Sequence, residues 1–194
     1  MAAYATTSQV KAYLPDLGTE HDAVLADIVE RASRIIDRFT GRRFDTIVEA
    51  RTIEGTGTNR IFVSDLVSVS LIRVKQSGTV GTTWTTVPST DYFLGPQRRS
   101  EWPAQVVDVG ITSTVSGFPL GYRTVEITGT WGWAAVPKDI EEATIELAVQ
   151  MWRSRGSGAD QYGIDAIQQQ AIPRALPSLA HRITQYTARP VTFA

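Results

Sequence analysis

Hydrophobic and polar positions along the chain change their period twice. Near the start, Leu25, Ile28, Ala32, Ile35, Ile36 and Phe39 fall on one face of a 3.6-residue helix. Asp27 and Arg31, and Glu30 and Arg34, pair at i,i+4 away from that stripe. Thr19 is placed to cap this helix, with Asp22 three positions on, and Gly41 follows it as a C-terminal cap. Before it, Thr7-Ser8 can cap a short helix reaching Tyr13. That helix stops at Leu14-Pro15 because a residue preceding proline avoids the helical region.

From about 43 to 133 the helical period disappears. Thr, Val and Ile dominate, and Gly, Pro and Asn punctuate at short intervals, which is the signature of short strands. The candidates are Thr46–Ile53, Arg60–Val63, Val67–Lys75, Thr83–Val87, Tyr92–Leu94, Val106–Val109 and Arg123–Thr130. The helical period then returns. Pro137 suits a first helical position, and Asp139, Glu141 and Glu142 fill a first turn where the macrodipole favours carboxylates. Ile140, Ala143, Thr144, Leu147, Ala148, Met151 and Trp152 form the stripe. Gly156-Ser157-Gly158 breaks it, a Gln168–Gln170 link follows, and Pro177 opens a last helix with Leu179, Ile183 and Tyr186 on one side.

The pattern predicts an α+β protein with a helical core, helices near 7–13, 20–40, 138–155 and 177–187, and a β-rich insertion at about 43–133. Residues 1–155 are expected to form a single domain, with 156–194 a C-terminal arm carrying the short helix. At 194 residues the chain is long enough for one domain with a real core.

Composition narrows the function classes. Hydrophobic residues make up 42% and charged residues 20%, ordinary for a globular protein, and the net charge of -1 gives no whole-protein case for nucleic acid or anionic membrane. With no cysteine there is no disulfide framework, thiolate metal site or cysteine nucleophile. The first residues lack the basic start and apolar run of a signal peptide, and no stretch is apolar for long enough to cross a bilayer, so a cytosol-like compartment is expected.

The search for chemistry returns little. His21 and His181 lie far apart and read as solvent-facing rather than as a metal pair. Gly55-Thr-Gly-Thr-Asn-Arg60 lacks the third glycine of a dinucleotide loop and runs into a strand, so a hairpin turn is expected. Glu142 and Glu146 have no Glu-x-x-His companion, and Arg98-Arg99 beside Glu101 read as exposed loop residues. The tryptophans of the β-block, Trp84, Trp102, Trp131 and Trp133, are expected to pack, with Trp131, Trp133 and Pro137 at the junction of strand and helix. No enzymatic activity and no cofactor or metal are expected.

One stretch resembles a known family. Ile127-Thr-Gly-Thr-Trp-Gly-Trp-Ala-Ala-Val-Pro-Lys-Asp-Ile-Glu-Glu-Ala143, running on to Leu147-Ala-Val-Gln-Met-Trp-Arg-Ser-Arg155, is similar to the head–tail connector (adaptor, head completion) proteins of long-tailed double-stranded-DNA bacteriophages. There a strand ending in Gly-x-Trp/Tyr-Gly leads to a Val-Pro start and a helix closing in an aromatic and an arginine. The opening, with Ala32-Ser-Arg-Ile-Ile-Asp-Arg-Phe39-Thr-Gly41-Arg-Arg-Phe44, resembles the family too, and the β-block matches only its longer members.

The resemblance implies a structural virion protein made in the host bacterial cytoplasm: one subunit of a ring, typically a dodecamer, docked beneath the portal protein. Such a ring extends the DNA channel and meets a stopper or tail-completion protein. Genomic DNA passes through without sequence-specific binding, and no membrane is involved. On that reading Glu141, Glu142 and Glu146 are candidates for channel lining or subunit contact, since a basic bore would hold the genome back. Leu176, Leu179, Arg182, Ile183 and Tyr186 are candidates for a portal-docking arm whose apolar face needs a partner, packing on the chain's own core being the alternative. A carbohydrate- or ligand-binding β-module, resting on the tryptophans, is the other reading, and a small hydrolase using His21 or His181 a third.

Overall fold

The computed structural model describes residues 3–15, 17–75, 83–95, 102–110, 113, 115–155 and 177–188, the side chains of 177 and 178 excepted. Two compact units emerge, 1–45 with 135–194, and 46–134. Helices and an antiparallel sheet are both present, an α+β composition.

In the first unit, α1 (Thr7–Lys11) is capped by Thr6, one residue earlier than the sequence implied. The Thr6 hydroxyl accepts from the Gln9 amide at 3.2 Å, while the Gln9 side chain accepts from the Thr6 amide at 2.7 Å, so two orphan donors are satisfied reciprocally. A 3-10 turn at Thr19–His21 leads into α2 (Asp22–Thr40), which ends on Gly41 at φ +65°. Leu25, Ile28, Ala32 and Ile36 of the expected stripe are buried, joined by Val29. Pro137 is the extended residue before α3 (Lys138–Ser154) rather than its first residue. Ile140, Ala143, Leu147, Ala148 and Met151 are buried on α3, which packs on α2 and α1.

The N-terminal lead-in, which the pattern left unassigned, is tied down through Tyr4. Its amide donates to Ser33 Oγ at 3.1 Å, its hydroxyl donates to Asp37 at 2.5 Å, and that same oxygen accepts from the Phe44 amide at 3.0 Å. Burial pushes the Asp37 carboxyl above its usual range, opposed by the Tyr4 hydrogen bond and the Arg34 guanidinium. The Tyr4 ring meets Phe44 edge-on at 5.7 Å.

The second unit is an antiparallel sheet of β1 (Thr46–Gly55), β2 (Arg60–Lys75), β3 (Trp84–Val87), β4 (Tyr92–Gly95), β5 (Ala104–Val109) and β6 (Gly121–Gly132), in the order β1-β6-β2-β5-β4 with β3 also on β2. Two expectations change. The segments Arg60–Val63 and Val67–Lys75 are one 16-residue strand. Ser64-Asp65 reads as punctuation but is an irregularity, with Asp65 at φ +42° in the region aspartate tolerates better than most residues. Before it β2 pairs with β5, Leu66 just after it pairs with both β5 and β6, and the rest of the strand pairs with β6 and β3. Nor is Gly55–Arg60 a hairpin turn, because β1 and β2 lie on opposite sides of β6 and do not pair.

The sheet curls, since Arg51 on β1 donates to Ser64 Oγ on β2 at 3.0 Å although β6 separates those strands in the hydrogen-bonding order. β6 shows the alternation expected of one packed face. Val125, Ile127 and Trp131 are buried, while Glu126, Thr128 and Thr130 are partly exposed between them. Ile61, Leu66, Ile72, Val107, Phe118 and Trp131 are among the core of this unit. Phe118 lies outside every strand the pattern singled out. It is held by backbone bonds, with Gly57 donating to its carbonyl at 2.9 Å and its own amide donating to Thr58 at 2.8 Å.

Candidate functional site

The candidate glutamates lie on α3, and the described candidates of the last segment lie on or just beyond the last helix, α4 (Pro177–Thr184), both in the helical unit. α4 carries Leu179 and Ile183 at 0% exposure and Tyr186 just beyond it at 5%, so its apolar face is covered within its own unit, against α3. Tyr186 stacks edge-on against Phe44 at 5.8 Å, and the Ala188 amide donates to the Thr40 carbonyl at 2.7 Å. Leu176 lies outside the described residues, as do Gly156–Gly158, Gln168–Gln170 and Arg98-Arg99.

Polar contacts surround this apolar seat. Arg182 reaches Glu142 at 3.2 Å and Glu146 at 2.7 Å, carboxylates one helical turn apart on α3. Asp139 accepts from the Gln185 side chain at 2.9 Å and the Tyr186 hydroxyl at 3.0 Å. Glu141 points elsewhere. It takes Lys138 at 2.6 Å and the Gln9 amide, and these bonds, the Lys138 one foremost, hold its carboxyl below the usual range. The three glutamates therefore do not form one acidic stripe. Glu142 and Glu146 share a guanidinium, and Glu141 serves α1.

Next to that clasp is an open groove of about 540 Å³ lined by Tyr13, Ile145, Val149, Gln150 and Arg153 together with the two clasp glutamates. Its lining mixes apolar and charged side chains. His21 packs its ring 5.3 Å from Trp152, and His181 is exposed on α4. Among the described residues no three His, Asp or Glu side chains converge on a metal-sized site. Among the same residues no helix is long and apolar enough to cross a membrane.

The tryptophans resolve within the β unit. Trp131 is 1% exposed, its indole donates to the Glu49 carbonyl at 3.0 Å, and Arg51 lies 4.3 Å over its ring. Trp133 is equally buried and meets buried Trp102 at 5.2 Å. Sugar stacking needs an open ring face, which these three do not offer. Half-buried Trp84 lies between Arg73 and Lys75, each 5.0 Å from its ring.

The fold so defined is a helical unit assembled from both ends of the chain plus a curled antiparallel sheet supplied by the middle. No family model matches the chain, and no curated relative matches it. Among solved structures it is similar to a chain in the neck of an empty gene transfer agent particle computed with C6 symmetry, with a TM-score of 0.58 and 21% identity over 97% of this chain and 91% of that one. It is also similar to a chain in the virion of a native gene transfer agent particle, with a TM-score of 0.57 and 20% identity over the same shares. At these identities the likeness establishes a shared fold, including the β-block, because nearly the whole of both chains is aligned.

Proposed function

We propose that this chain is a structural, non-enzymatic component of a phage-like particle: a head–tail connector subunit that forms a ring beneath the portal, extends the DNA channel and joins the head to a stopper or tail. The observation that carries the reading is the likeness to a chain in a particle neck across 97% of the present one. The sequence from Ile127 to Arg155, which resembles the connector family, supports it independently of the fold.

Within this reading the exposed clasp, Glu142, Glu146 and Arg182, is the surface assigned to a neighbouring subunit or the channel wall, with Glu141 bracing α1 instead. The buried side of α4 is occupied by its own unit, so portal contact falls to its exposed side, where His181, Thr184 and Gln185 lie. A carbohydrate-binding role is not favoured, since Trp102, Trp131 and Trp133 are buried.

The test is a pull-down with the portal protein encoded in the same genome, followed by electron microscopy of the eluate. The expected result is portal bearing an added ring of this chain. A chain that neither co-purifies with portal nor adds density to it would overturn the proposal.

A further inference from the structure

The strand β1 is an edge with a peculiar sequence. It is ten residues long, and among the described residues only β6 pairs with it. The other strands at the limits of the sheet, β3 and β4, are four residues each. Proteins blunt long edges with proline, lysine or bulges, because a row of unpaired amides and carbonyls templates strand addition. β1 contains neither proline nor lysine; its register shifts only at its end, between Ile53 and Gly55, and its charges, Glu49, Arg51 and Glu54, include both signs. It also leaves Val48 at 74% and Ile47 at 38% exposure.

Read against itself in antiparallel fashion about Ala50, the strand is self-complementary. Ile47 falls opposite Ile53, Val48 opposite Thr52, Glu49 opposite Arg51, and Ala50 opposite its own copy. From Ile47 to Ile53 the cross-strand pairs are apolar, β-branched or of opposite charge, the combinations that stabilise neighbouring strands, and only the outermost pair, Thr46 with Glu54, is neutral in this respect. A one-residue slip would set Glu49 against Ala50 and turn the two sets of side chains to opposite faces, so this register is distinguished from its neighbours. Within one chain Arg51 already holds Glu49 at 2.6 Å. In the doubled strand, two such pairs meet as a cluster of alternating charge.

We infer that β1 pairs antiparallel with β1 of a second copy, centred on Ala50, making the free protein a two-fold dimer with one sheet continuous across the boundary. The contact is isologous and closes at two copies, which caps an edge otherwise open to further strand addition. It is separate from the head-to-tail contacts a ring requires, so it describes the unassembled protein and does not depend on the proposed neck role.

The absence of native cysteine permits a clean test on the full chain. Ala50→Cys places two thiols opposite each other on the two-fold, whereas Ser68→Cys, exposed on β2, does not. Under mild oxidation Ala50→Cys is expected to link into a covalent dimer and Ser68→Cys to remain single. Sedimentation is run at concentrations on the order of 100 µM, because a strand-edge contact falls in the weak class below ~1,200 Å². Glu49→Arg or Arg51→Glu alone is expected to weaken the dimer roughly tenfold by setting like charges opposite each other twice, and the double exchange to restore it. Ala50→Cys linking no faster than Ser68→Cys would overturn the inference. So would a monomeric parent, or an oligomer whose mass neither single reversal changes.

Discussion

The seat of α4 sets a contest between two kinds of contact. Ile183 is fully buried, while Arg182 beside it makes two ion pairs whose members are 34%, 59% and 46% exposed. Truncating a buried isoleucine to alanine removes transfer energy and leaves a cavity, a cost of ~2–5 kcal/mol. At the margin of a unit, where neighbours can collapse, the lower end, about 2, is the better expectation. Ion pairs this exposed contribute ~0.2–1 kcal/mol each and weaken as salt rises. Ile183→Ala should therefore loosen the helix more than Arg182→Ala, although only the latter breaks visible polar bonds.

Hydrogen exchange of a peptide spanning Pro177–Ala188 reads this directly. A loss of about 2 kcal/mol lowers protection ~30-fold, and a loss of about 1 lowers it ~5-fold. The Arg182→Ala effect should also shrink in high salt, while that of Ile183→Ala persists. If Arg182→Ala exposed the helix as much as Ile183→Ala at every ionic strength, burial would not be what seats α4.

Two further outcomes follow from the β unit. Arg60 holds Asp108 through paired bonds of 2.7 and 2.8 Å, which keep that carboxyl below its usual range. A depressed carboxylate contributes stability above its unfolded pKa and loses it as pH falls through the folded one. Asp108→Asn should thus cost under ~1 kcal/mol at pH 7, and its melting temperature should converge on the parent's in acid; a gap that stayed constant to about pH 3 would contradict the assignment. A methyl group built on Gly129 would sit 2.2 Å from the Ser68 carbonyl oxygen. Gly129→Ala should accordingly lower stability by ~1–3 kcal/mol in urea titration, and an unchanged midpoint would show that the strands part more easily than they pack.

What could be read beforehand was whatever depends on near neighbours. The α2 stripe from Leu25 to Ile36, its end at Gly41, and the α3 stripe from Ile140 to Met151 are local periodicities, and each appears in the structure. The misreadings were non-local. The pattern leaves a gap at 64–66 between two candidate strands, whereas β5 on one side and β6 on the other keep both halves of β2 extended through it. Gly55–Arg60 resembles a hairpin until β6, more than sixty positions away, takes the place between β1 and β2. Tyr4 had no periodic neighbours to mark it, and its role depends on Ser33, Asp37 and Phe44 arriving from a distant part of the chain. The seat of α4 was equally illegible, because an amphipathic stripe states that a partner exists without stating which.

The pairing of Thr46 with Gly132 has a kinetic consequence. α2 and α3 must meet across the whole inserted block, and closing a loop of that length in an unfolded chain costs roughly 4 kcal/mol of entropy beyond a constant. Once the sheet has formed, its first and last strands lie side by side with Thr46 opposite Gly132, so the chain left to close between the two helices is short. The sheet thereby acts as a molecular staple for the helices.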